Sequence, residues 1–153
     1  MVIRSATPAD ISRCSELLGY LFEKEAEFSP DPECQQKGLA LILENPSSGT
    51  VLLCEERNSC FIVGMVILLY TVSTALGKKV ALLEDMIVDP AYRSKGIGNM
   101  LLRHAINLAK EKGLGRLTLL TDRGNTAAHY LYEKYGFEQS GMVAFRKLFS
   151  YRE

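Results

Sequence analysis

The chain has 153 residues, 47% of them hydrophobic and 24% charged, enough for one ordinary domain that buries a core without metal or disulfide staples. Lys plus Arg balances Asp plus Glu at 18 each, which argues against a sequence-independent nucleic-acid binder, since such a protein needs a basic surplus to neutralise phosphates. The four cysteines, Cys14, Cys34, Cys54 and Cys60, form no C-x-x-C pair and have no His at finger spacing, so free thiols and no metal site are expected.

Taken in chain order, residues 2–4 predict a short first strand. Thr7-Pro8-Ala9-Asp10 then opens a helix with a Thr cap, a Pro at the first helical position and an acid in the first turn. Ile11, Cys14, Leu17, Leu18, Leu21 and Phe22 give it one apolar face. The acidic stretch 23–31 ends in Ser29-Pro30-Asp31-Pro32, which breaks the helix, and a second helix is expected over 33–44. Residues 50–54 and 61–71 flank a polar turn and read as a hairpin, with Cys54 and Cys60 on either side of it. A third long strand is predicted over 80–88, then a glycine-bearing loop, then an amphipathic helix over 97–112 stopped by Gly113. Residues 117–121 predict a strand, Asn125 caps a helix running to Tyr135, and residues 142–149 predict a last strand. The strand-helix-strand unit in the second half requires a parallel pair. The expectation is therefore one α/β domain over residues 1–153, with a mixed, mostly antiparallel sheet, a central parallel pair and flanking helices.

Nothing in the sequence predicts export or a membrane span. The N-terminus turns polar too soon for a signal peptide, and the longest apolar run, 61–70, is broken by Gly64 and is too short to cross a bilayer. A cytoplasmic protein without membrane or nucleic-acid partners is expected.

The informative segment follows the third long strand. Two glycines, Gly96 and Gly98, sit between a strand and a helix N-terminus, where the backbone can approach a ligand and free N–H groups favour an anion. A Rossmann fingerprint would need a third glycine where Leu101 stands, and the P-loop spacing is missing. Arg93-Ser94-Lys95-Gly96-Ile97-Gly98 resembles instead the Q/R-x-x-G-x-G/A pyrophosphate loop of the GCN5-related N-acetyltransferase (GNAT) family. The Val88-Asp89-Pro90 run before it, and Tyr132-Glu133-Lys134-Tyr135-Gly136-Phe137 after Asn125, resemble the same family, as does the order of elements over nearly the whole chain.

That resemblance implies acetyl-CoA as co-substrate, no metal, and direct attack by a primary amine in a ternary complex. The backbone of Ser94, Lys95, Gly96, Ile97, Gly98 and Asn99 would cradle the pyrophosphate, with Arg93 and Lys95 adding charge and Asn125 opening the second cofactor motif. Met86, Ile87 and Val88 would pair with the pantetheine arm, which requires the two central strands to splay and a bulge near residues 84–86. Glu84 is the candidate base or substrate anchor, its competing reading a carboxylate turned to solvent. Asp85, on the opposite face by strand alternation, is less favoured. Tyr132, seven residues after Asn125, is the candidate acid for the CoA thiolate; an ordinary packed tyrosine is the competing reading. The Glu84-Asp85-Met86-Ile87-Val88 run is most similar to the diamine (spermidine/spermine) acetyltransferase branch, and Glu25, in the acidic stretch, would help attract such an acceptor. The alternatives are a protein N-terminal or lysine acetyltransferase, or a CoA-binding regulatory module that has lost catalysis. A homodimer through the last strand is expected, since that strand would otherwise leave apolar surface exposed.

Overall fold

The computed structural model describes residues 1–149. The chain divides into two compact units, Met1–Leu120 and Thr121–Glu153. The first contains five strands and three helices in the order β1 (Val2–Ser5), α1 (Ile11–Phe22), α2 (Pro32–Glu44), β2 (Gly49–Glu55), β3 (Ile62–Ser73), β4 (Lys78–Val88), α3 (Ile97–Glu111) and β5 (Leu117–Leu119). The second contains α4 (Thr126–Lys134).

The strands form one sheet in the order β1-β2-β3-β4-β5, antiparallel up to β4 and parallel between β4 and β5. The two-residue period of a strand sorts its side chains onto two faces. Val51 and Leu53 of β2 pair with Ile67 and Met65 of β3, and all four join Cys14, Leu17, Leu18 and Leu39 of α1 and α2 in one buried cluster. The alternate positions meet α3. A Cβ built at Gly64 would lie 3.0 Å from the Ile87 carbonyl and 3.1 Å from Leu101, so only glycine allows the helix this close to β3.

Local signals account for the element ends. The Asp10 carboxylate accepts from the Thr7 backbone N–H at 2.8 Å and closes a 3-10 turn, Pro8–Asp10, that runs into α1. Two nitrogens of Arg4 donate to the same carboxylate and a third donates to Glu55, which ties β1 to β2. The Arg4 hydrogen bonds hold the Asp10 carboxyl down at about 2. Asp31 caps α2 by accepting from the Cys34 N–H, and Gln35 fastens α2 to α1 by donating to the Ser15 carbonyl at 2.6 Å. All four cysteines are free, and burial pushes the Cys14 thiol up to about 12.

One expected element is absent among the described residues: 142–149 form no strand. A strand exists only through a ladder partner, and apolar content alone supplies none. Met142, Phe145, Leu148 and Phe149 are exposed instead. The parallel β4-β5 pair therefore stands at one end of the strand order rather than in the middle of the sheet. Among the described residues no helix is long and apolar enough to cross a membrane, and no group of three or more His, Cys, Asp or Glu is placed to hold a metal ion.

Candidate active site

The site is built around the end of β4. Its ladder to β5 comprises Ala81↔Leu117, Leu82↔Thr118 and Leu83↔Leu119, and stops there, while β4 continues to Val88. From residue 84 to residue 88 the β4 backbone therefore has no β5 partner, which is the splay expected from the sequence. On the other side, Ile67 of β3 pairs with Glu84 and Met65 pairs with Ile87, so one β3 residue faces two on β4. The extra residue makes a bulge at Asp85 and Met86, and Asp85 carries it with a positive φ of 51°.

The bulge changes where the two carboxylates go. Glu84 is opposite Ile67 and so belongs to the α1/α2 face of the sheet, where it is exposed. Simple alternation would turn Asp85 to the other face, but a left-handed residue in a bulge does not alternate. Asp85 instead lines a cavity of about 320 Å³ on the α1/α2 face, with Phe22, Phe28, Leu39, Ile42 and Ile67 among its walls. Burial, then the negative charges of Glu84 and Glu25, raise the Asp85 carboxyl to about 6. Asp85 is thus within electrostatic reach of both Glu84 and Glu25. The cavity and Asp85 were not readable in advance, because nothing in the sequence marks an Asp as left-handed.

Downstream, Asp89 caps a 3-10 turn, Pro90–Tyr92, by accepting from the Ala91 N–H at 2.9 Å. Its other oxygen accepts from Arg13 of α1, whose Nε also donates to the Ile62 carbonyl and whose guanidinium lies 4.4 Å from the Phe61 ring centre. Burial would raise the Asp89 carboxyl, but these donors outweigh it and hold it below its ordinary value. No local sequence signal marks this clasp, because Arg13 and Asp89 lie 76 residues apart.

The loop itself has two left-handed residues, Ser94 (φ 61°) and Gly96 (φ 78°), before α3 begins at Ile97. Alternating hands turn successive N–H groups to one side and form an anion-binding nest, and the first N–H groups of α3 add to it. A Cβ built at Gly96 meets no atom within 4 Å, so the cradle is open. Arg93 Nε donates to the Val88 carbonyl at 3.3 Å, and Lys95 lies over the Tyr92 ring. The donor set and the open nest fit a pyrophosphate, and the β5-side edge of β4 beyond Leu83, which leads into it, fits an extended amide-bearing arm.

In the second unit, Asn125 caps α4 by accepting from the Ala128 N–H at 3.2 Å. Tyr132 packs edge-on to Phe137, with ring centres 5.8 Å apart, and Gly136 ends the helix at a φ of 83°. Burial raises the Tyr132 phenol, so it holds its proton at neutral pH, whereas Tyr130 is largely exposed.

The comparisons with known proteins agree with this geometry. The family model for the acetyltransferase (GNAT) family matches residues 15–137. The chain is 35% identical over 139 residues to the uncharacterized N-acetyltransferase YhfO of Bacillus subtilis, covering 91% of each. It is 26% identical over 135 residues to a glucosamine 6-phosphate N-acetyltransferase of Trypanosoma brucei brucei, covering 88% of this chain and 87% of that one. The crystal structure of glucosamine-6-phosphate N-acetyltransferase from Arabidopsis thaliana superposes with a TM-score of 0.75 at 22% identity, over 97% of this chain and 98% of that one, a likeness of fold. With a bulged, splayed β4 running into an open anion nest and a family match over most of its length, the chain belongs to the GNAT acetyltransferase family and is an acetyl-CoA-dependent acyltransferase.

Proposed function

We propose that the protein transfers an acetyl group to a primary amine by direct attack, with Glu84 and Tyr132 moving the protons. The observation that carries the reading is the β4 backbone without a β5 partner, the bulge and the open nest within residues 84–98. Acetyl-CoA, when bound, supplies an acyl group activated as a thioester. The Ser94 to Asn99 backbone holds its phosphates, Arg93, Lys95 and Asn125 support that hold, and Met86, Ile87 and Val88 align its arm along β4. An alkylammonium has a pKa near 10, so a proton must leave before nitrogen can attack. Glu84, exposed beside the bulge, takes that proton directly or through water, and Glu25 adds to the attraction of a cation. The Tyr132 hydroxyl, held protonated by burial, gives its proton to the departing sulfur.

The reading takes residues 1–153 as one functional domain, working in the cytoplasm as a homodimer whose contact includes the exposed apolar residues of 142–149. Light scattering giving only the 17.0 kDa monomer mass would refute the dimer. Thiol release with acetyl-CoA against polyamines, amino acids, small amines and basic peptides tests the activity. A basic peptide as sole acceptor would move the protein to the protein-acetylating enzymes, and binding without turnover would make it a regulatory module.

A further inference from the structure

We propose that the cavity beside Asp85 is the acceptor site, and that it selects a primary amine carried on a single aryl or alkyl body whose ammonium Asp85 holds. The proposal rests on the acetyl-transfer reading above, since otherwise the cavity serves no reaction. Its walls are side chains of α1, α2, the segment between them and β3, chiefly Phe22, Phe28, Leu39, Ile42 and Ile67. A volume of about 320 Å³ lies at the low end of the range for small-molecule sites.

The polar groups of the cavity are few, and most are committed. Asp31 caps α2, and Gln35 donates to the Ser15 carbonyl while accepting from the Asp31 N–H. The Asp85 carboxylate accepts no hydrogen bond and forms no ion pair among the described residues. It is the one charged lining group with its acceptor capacity unspent, and its left-handed backbone keeps it in the cavity rather than across the sheet.

Three acceptor classes separate on this chemistry. A sugar phosphate would bring an anion to a cavity whose lining includes Asp31 and Asp85 and no Lys or Arg. A polyamine held at Asp85 with its chain running into the cavity would bury its next ammonium against hydrocarbon, which costs far more than it gains. An ammonium on one apolar body satisfies both the carboxylate and the walls. Held there, the nitrogen sits at the residue next to Glu84, which flanks the bulge. Asp85 is thus a specificity-determining residue that works beside the proposed base.

Initial rates with acetyl-CoA test this, using 2-phenylethylamine, ethylamine, spermidine and glucosamine 6-phosphate as acceptors. Phenylethylamine should exceed spermidine and the sugar phosphate in kcat/KM by about tenfold or more. Asp85→Asn should raise the KM for phenylethylamine by roughly 10- to 100-fold, the worth of a charged hydrogen bond, and leave the KM for acetyl-CoA within about twofold. Gly38 stands at the cavity wall on α2 with open space around it, and Gly38→Leu should penalise phenylethylamine more than ethylamine. A preference for spermidine, or an Asp85→Asn variant with unchanged amine KM, overturns the proposal and leaves acetyl transfer standing. If acetyl-CoA produces no thermal shift and no acceptor releases thiol, both this proposal and the acetyl-transfer reading fall.

Discussion

Replacing Asp85 by Asn should stabilise the unliganded protein, and only above a particular pH. Burial first, then Glu84 and Glu25, lift the Asp85 carboxyl from 3.8 in the unfolded chain to about 6 in the fold. A folded-state value above the unfolded one means that the fold prefers the protonated acid. The associated stability is fully present below pH 3.8 and is lost as pH rises to about 6. The loss has a ceiling of about 3 kcal/mol at 1.36 kcal/mol per unit, and screening at the cavity mouth reduces it to roughly 1–2 kcal/mol. Asn stays neutral throughout and tolerates a positive φ as Asp does, so Asp85→Asn removes the charge without new backbone strain. The variant should match wild type near pH 4 and exceed it at pH 7.5 by about 2–8 °C in melting temperature for a chain of this length. Thermal melts at four pH values without acetyl-CoA read this directly. A gain independent of pH, or a loss at pH 7.5, would refute the placement of Asp85.

Further outcomes follow from other positions. Acetyl-CoA should raise the melting temperature of wild type, and Gly96→Glu should abolish that rise in differential scanning fluorimetry by placing an anion in the nest. Tyr132→Phe should cut turnover by roughly two to four orders of magnitude with acetyl-CoA affinity unchanged, measured by thiol release and calorimetry. Raising the pH should partly restore Glu84→Gln, because solvent then deprotonates more amine, and should not restore Tyr132→Phe. Gly49→Ala should cost about 1–3 kcal/mol in urea unfolding, since its Cβ would lie 2.6 Å from the Leu68 carbonyl oxygen.

Much of the fold was legible because its signals are local. Thr7, Asp31, Asn125 and Gly136 mark helix ends through hydrogen bonds spanning a few residues, and the Arg93 to Gly98 loop lies between a readable strand and a readable helix. The bulge was expected near residues 84–86, since a strand that leaves one neighbour and keeps another must change its pairing. What the bulge does to Asp85 was not legible. That depends on the φ of one residue and on two helices, far away in sequence, that wall the cavity. The strand expected at 142–149 failed for the converse reason: its residues favour a strand, but a strand is a property of the ladder and not of the residues.

The clasp between Arg13 and Asp89 has a mechanical consequence. Helix α1 walls one side of the cavity with Leu18 and Phe22, and five residues before Leu18 its Arg13 grips the carboxylate that caps the turn before the glycine loop. It is a single beam that reaches from the cavity wall to the turn before the glycine loop. A ligand that tilts it at one end moves the other, and a helix of 12 residues is too short and stiff to absorb that motion along its length. With the acceptor in the cavity and acetyl-CoA on the loop, the two affinities should be reciprocally coupled, and Arg13→Ala should leave the acetyl-CoA affinity independent of amine concentration in calorimetry.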